Sequence, residues 1–143
     1  MIFKSWLTQR LAPYPGARQF IKFSIVGTTA AIINFSFFYF LQRWFGLWYL
    51  HASVVGFLVS VVFNFSANKL WTFRNRETGH HVWRQLFRFS LVMVTGLTIN
   101  SVIIYGLTER AGLDSNLSWL FATLAVTVWN FSLNRFWTFK RRI

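Results

Sequence analysis

Two short stretches hold most of the residues able to do chemistry, Asn64 to Arg74 and Asn130 to Lys140. They are near copies. Asn64, Asn68, Trp71, Thr72 and Phe73 recur as Asn130, Asn134, Trp137, Thr138 and Phe139, and Lys69 is matched by Arg135. Each stretch combines two carboxamides, a fixed cation and an indole. Amide N–H groups and a cation are all donors, so together they suit an anion with several acceptor oxygens. Helical spacing of i, i+4, i+7 predicts one shared face for Asn64, Asn68 and Trp71, and another for Asn130, Asn134 and Trp137. A second pair of matched cations, Lys22 and Arg88, and a further pair of amides, Asn34 and Asn100, stand earlier in each half.

Each group also has a plainer use. Amides in an apolar medium can bond across helices and hold them together, worth ~0.6 to 2 kcal/mol each. Lys69 and Arg135 can snorkel, with the charged head in the headgroups and the stem in lipid. Trp44, Trp48, Trp71, Trp83, Trp119 and Trp137 fit an interfacial aromatic belt. Trp71 and Trp137 can also stack on a sugar ring. Phe35, Phe37, Phe38 and Phe40 suit lipid or another long apolar chain.

Other chemistry is excluded by residues that are missing. There is no Cys, so thiol catalysis and disulfides are out. Only Glu77, Glu109 and Asp114 are acidic, and all three are expected in loops. No intramembrane carboxylate is then available to relay protons or hold a cationic drug, which argues against a small multidrug or ion exporter. His80 and His81 are too few for a metal site. No nucleophile with a base and no glycine-rich phosphate loop occurs, so the reading is a non-enzyme without cofactor or metal.

The elements that position these groups are read from hydropathy. Of 143 residues, 55% are hydrophobic, 21% aromatic and only 13% charged. A soluble domain runs near a quarter charged. Apolar runs span Phe20 to Leu41, Leu47 to Asn68, Leu86 to Leu107 and Leu117 to Asn134. Each is roughly 20 residues, the length of helix that crosses a hydrocarbon core. Backbone in lipid must pair within its own segment, so helices follow rather than strands. The expected fold is an all-α integral membrane protein of four transmembrane helices. Residues 1–19 are expected as a cytoplasmic or interfacial segment, where Trp6, Leu7 and Leu11 with Lys4 and Arg10 suggest a short helix ended by Pro13 and Pro15. Residues 20–143 are expected as the membrane domain. No stretch reads as a cleaved signal peptide.

The net charge of +12 is clustered beside the apolar runs, unlike a nucleic-acid-binding face. Cations concentrate before the first run, between the second and third, and in the tail. The other two connections carry only Arg43 and Arg110. The positive-inside rule then predicts both termini and the central connection on the cytoplasmic side. Arg18 to Arg76 aligns without gaps with Arg84 to Arg142, a shift of 66 residues from Arg18 to Arg84. Gln19, Phe23, Ser24, Asn34 and Tyr39 recur as Gln85, Phe89, Ser90, Asn100 and Tyr105. Two crossings return a chain to its starting side, so these two hairpins are expected as parallel repeats, with a site at their interface.

The stretch Phe23 to Gly27, Asn34, and the Asn-Phe-x-x-Asn-Lys/Arg-x-Trp-Thr-Phe endings resemble the GtrA-like family over about residues 18–142. Met93 departs from the pattern, standing where Gly27 predicts a glycine. The resemblance implies bacterial cell-surface polysaccharide synthesis in the cytoplasmic membrane. It implies movement of a polyprenyl-phosphate-linked sugar, often beside a glycosyltransferase. Phosphate would meet Lys69, Arg135, Lys22 and Arg88. Phosphate or sugar would meet Asn64, Asn68, Asn130 and Asn134, with Asn34 and Asn100 as deeper polar steps. A homodimer is compatible with so small a bundle. The rival expectation is a non-transporting partner that anchors or positions a glycosyltransferase.

Overall fold

The fold is taken from a computed structural model, which describes residues 14–140. The short helix expected around Trp6 and Leu11, and the tail cations Arg141 and Arg142, lie outside the described residues. Among the described residues every regular element is helical. In chain order these are α1 (Pro15–Phe45), α2 (Tyr49–Ala67), π1 (Asn68–Thr72), α3 (His80–Tyr105), π2 (Gly106–Arg110), α4 (Ser115–Leu133) and π3 (Asn134–Thr138). The chain divides into two compact units between Arg74 and Asn75. In the first, α1 packs on α2 and π1; in the second, α3 packs on α4 and π3.

Helix α1 starts at Pro15, ahead of the apolar run. A proline in the first turn costs nothing there, because that N–H has no helical partner anyway, and its φ is already helical. Pro15 therefore opens this helix. The 31 residues of α1 make roughly 46 Å of helix, longer than a ~30 Å hydrocarbon core. The first turn, with Arg18, thus extends toward water or the helix tilts.

The helix tips use one device twice. Gly46 takes a left-handed conformation (φ 61°) and Leu47 N–H donates to Leu41 O at 3.2 Å. Gly112 (φ 68°) is followed by Leu113 N–H donating to Leu107 O at 2.9 Å. Glycine bears this backbone without steric cost, and the bonds use otherwise orphaned carbonyls. In the second unit Asp114 also caps α4, accepting from Asn116 N–H (2.9 Å) and Leu117 N–H (3.3 Å). That carboxylate is occupied by backbone. Glu109 falls within π2 rather than in a loop, because the helical winding outlasts the apolar run, and its side chain is exposed.

Three helical stretches, Pro15–Phe45, Tyr49–Thr72 and His80–Arg110, are long and apolar enough to cross a membrane. Helix α4 matches α2 at 19 residues but is more polar. Asn116, Ser118, Thr123, Thr127, Asn130 and Ser132 dilute its apolar content. The structure thus gives three clear spans and a fourth helix, where the sequence suggests four equal ones.

Within unit one, α1 buries Phe23, Val26 and Ala30 against Ala52, Gly56, Ser60 and Asn64 of α2. Within unit two, α3 buries Phe89, Val92 and Gly96, and α4 buries Ser118 and Ala122. Small residues let the helix backbones approach, which is how helices associate where no hydrophobic effect is available. A Cβ at Gly56 would lie 2.7 Å from Asn34 O and 2.8 Å from Asn34 Oδ1. A Cβ at Gly96 would collide with the Asn130 amide, 2.9 Å from its Nδ2. Of Gly27, Ala30, Ala31 and Gly96, the small residues the sequence suggests for close packing, Ala30 and Gly96 are buried in the contacts, whereas a Cβ at Gly27 meets nothing within 4 Å and Ala31 is exposed. That open space also explains why Met93 is tolerated at the position matching Gly27.

Gly56→Ala is expected to lower the unfolding midpoint in detergent by several degrees, because the obstacle is a backbone carbonyl and overpacking costs about 1 to 3 kcal/mol. Gly27→Ala should leave the midpoint unchanged or raise it. Equal effects would contradict the packing described.

Candidate functional site

Helices α2 and α4 do not end in α-helical geometry. Phe73 N–H donates to Asn68 O and Phe139 N–H to Asn134 O, both at 2.9 Å, closing π-turns over Asn68–Thr72 and Asn134–Thr138. Such wider turns concentrate at functional positions. They also rotate later residues away from the face that α-helical spacing assigns them. Asn68 and Asn134 are fully buried, while Trp71 and Trp137 are 46% and 40% exposed. The indoles therefore do not share the inward face of the amides. Phe73 and Phe139 turn inward in their place, each with its ring 6.2 Å from a helix phenylalanine, Phe23 and Phe89 respectively.

Each unit brings a cation onto its π-turn. Lys22 Nζ donates to the Trp71 carbonyl at 3.5 Å and stands 5.0 Å from the centre of its indole. Arg88 Nη1 donates to the Trp137 carbonyl at 3.1 Å and stands 5.2 Å from that indole. The carbonyl end of a helix carries partial negative charge, and the indole face attracts a cation. Lysine has three donors and arginine five, so each keeps donors for a ligand. Lys69 and Arg135 differ from one another. Lys69 is only 7% exposed and is engaged within the protein. Arg135 is half-buried over Phe131 and Phe136, at 5.9 and 5.3 Å.

The amides split into two roles. Asn34 and Asn130 fit against Gly56 and Gly96 of the facing helix. Asn68 Nδ2 donates to Asn64 Oδ1 at 2.6 Å, and Asn134 Nδ2 to Asn130 O at 2.8 Å, so these bonds run along a helix and not across. Asn100 is half-buried in α3. Several buried acceptors are left over: Oδ1 of Asn68, Asn130 and Asn134, and Oγ1 of Thr72 and Thr138 have no hydrogen-bond partner among the described residues. An unmade bond at a buried polar atom costs about 1 to 3 kcal/mol. Sugar hydroxyls are donors of the kind these atoms lack.

Two polar positions carried no assigned role in the sequence. Asn75, 1% exposed, donates from Nδ2 to Phe139 O at 3.4 Å and accepts at Oδ1 from Gln85 Nε2 at 3.2 Å. Gln85 recurs from Gln19 across the halves, a signal that could have singled it out. Asn75 lies just beyond the Trp-Thr-Phe ending and has no such signal.

A family model described as GtrA/DPMS, transmembrane domain, matches residues 22–139. The chain belongs to this family. The uncharacterized membrane protein YngA of Bacillus subtilis (strain 168) is 27% identical over 120 residues, covering 82% of this chain and 77% of YngA. The family match starts at Lys22 and ends at Phe139, so it contains both π-turns and both cation–indole contacts. Membership points to a multi-pass membrane protein concerned with lipid-linked sugars, in a family that is in general non-catalytic.

Asn64→Ala deprives the buried Asn68 Nδ2 of its acceptor and should cost about 1 to 2 kcal/mol, read as a lower unfolding midpoint in detergent. Trp71→Phe, at a half-exposed side chain whose carbonyl is untouched, should cost less. An equal loss would count against the buried-amide arrangement.

Proposed function

We propose that the protein moves a polyprenyl-phosphate-linked sugar across a bacterial cytoplasmic membrane, without catalysing a reaction. The observation that carries this reading is the pair of cation-bearing π-turns, Lys22 on Trp71 and Arg88 on Trp137, within a family match that spans both. Spare donors of these cations, with Lys69 and Arg135, suit a phosphate. The unpartnered oxygens of Asn68, Asn130 and Asn134 suit sugar hydroxyls, and Asn64, Asn34 and Asn100 extend the polar path. Trp71 and Trp137 offer half-exposed indoles for a sugar ring. The apolar tail stays in lipid along faces such as Phe35, Phe37 and Phe40, all exposed.

This reading takes α4 as a fourth crossing, both termini as cytoplasmic, and the units as parallel repeats. The charge distribution supports the orientation. The equal spacing of Tyr49–Ala67 and Ser115–Leu133 along the chain supports the repeat. A second copy of the chain would supply volume that four helices lack.

The purified protein in vesicles with a labelled polyprenyl-phosphate sugar should move label between leaflets. The Lys69→Ala, Arg135→Ala double variant should slow this at least about tenfold, the loss of one charge-assisted bond. Unchanged transport by that variant would remove these residues from the site. No movement by the wild type, with copurification of a glycosyltransferase, would turn the reading to an anchoring partner.

A further inference from the structure

In the second unit, Arg84, Arg88 and Lys140 line one small recess of about 20 Å³ with Gln85, Thr138 and Glu77. His81 stands at the same recess. Three permanent cations thus face one carboxylate. Arg88 is fixed there by the Trp137 carbonyl and indole. Arg84 and Lys140 are exposed, so their heads are open to a ligand. Thr138 is 2% exposed, and its hydroxyl has no partner among the described residues. Glu77 is seated by Gln85, whose Nε2 donates to Glu77 Oε2 at 2.8 Å, and Gln85 is itself 4% exposed.

We propose that this recess is a phosphate-binding site, with the Glu77 carboxylate as a built-in counter-anion in its lining. The forked donors of Arg84 and Arg88 match phosphate oxygens, and Lys140 adds a point charge. The Thr138 hydroxyl gains an acceptor. So small a recess leaves sugar and tail outside.

The first unit repeats the donor set and lacks the counter-anion. Arg18, Gln19, Lys22, Thr72 and Arg74 stand where the second unit has Arg84, Gln85, Arg88, Thr138 and Lys140. The Thr72 hydroxyl is likewise without a partner, and the charges of Arg74 and Arg18 act on Lys22. All three acids of the chain lie in the second unit. Only there is an anion supplied by the protein.

The inference rests on the reading that the substrate headgroup is a phosphate, and it adds Arg84, Lys140 and Thr138 to the residues that hold it. Its test is binding of citronellyl phosphate, a short prenyl phosphate, to the full chain in nanodiscs of zwitterionic lipid, by calorimetry. Arg84→Gln with Lys140→Gln should weaken binding at least about tenfold, and Glu77→Gln should tighten it. Thr138→Val should weaken it less. Arg84 and Lys140 are exposed, so the double variant should elute and melt as the wild type does. Competition by inorganic phosphate at equal concentration would assign the recess to free phosphate, and no competition to a lipid headgroup; both keep the site. Wild-type affinity in the double variant, or no gain from Glu77→Gln, would overturn it. Binding that responds to the variants, in a protein that moves no lipid, keeps the recess and removes the translocase reading. Transport indifferent to the variants does the reverse.

Discussion

A carboxamide in hydrocarbon can bond only to protein, because the water that would serve it elsewhere is absent. The packing of both units follows from that restriction. Asn34 and Asn130 are accommodated because the facing helix carries Gly56 and Gly96. Asn68 Nδ2 finds its acceptor in Asn64 Oδ1, one turn back along the same helix. Lys22 and Arg88 neutralise the carbonyl ends that the π-turns expose. What is left over is a few buried amide and hydroxyl oxygens that have no partner among the described residues.

The helical architecture was legible in the sequence because an apolar run near bilayer length admits little else. The near-identity of Asn64 to Arg74 and Asn130 to Lys140 also made the internal repetition plain. Helix ends were less legible. The apolar run begins at Phe20, yet the helix begins at Pro15, in the first turn that proline tolerates. Helix α4 shows its polarity only when Ser118, Thr123 and Thr127 are counted against an otherwise apolar stretch. Of the small residues the sequence offers for helix packing, Ala30 and Gly96 are buried in the contacts and Gly27 and Ala31 are not; Ala52, Gly56 and Ser60 complete the first. Small residues occur on several faces, and composition alone does not say which face meets a partner.

The candidate site divides in the same way. Cations and amides were evident from type and position, but their partners were not. A π-turn has no residue signature in Asn68–Thr72, so the inward turn of Phe73 and the outward turn of Trp71 could not be read from spacing that assumes 3.6 residues per turn. The roles of Thr72, Thr138 and Gln85 depend on burial, which sequence conveys only for strongly apolar residues.

The connections after Gly46 and Gly112 are short enough to matter before the protein is ever finished. Only Gly46, Leu47 and Trp48 separate α1 from α2, and Ala111 to Asp114 separate π2 from α4. With so little slack, the two helices of a pair stay neighbours at that end from the moment both exist. Where both cross, their partitioning into lipid is shared, and a strongly apolar α3 offsets the serines, threonines and asparagines of α4.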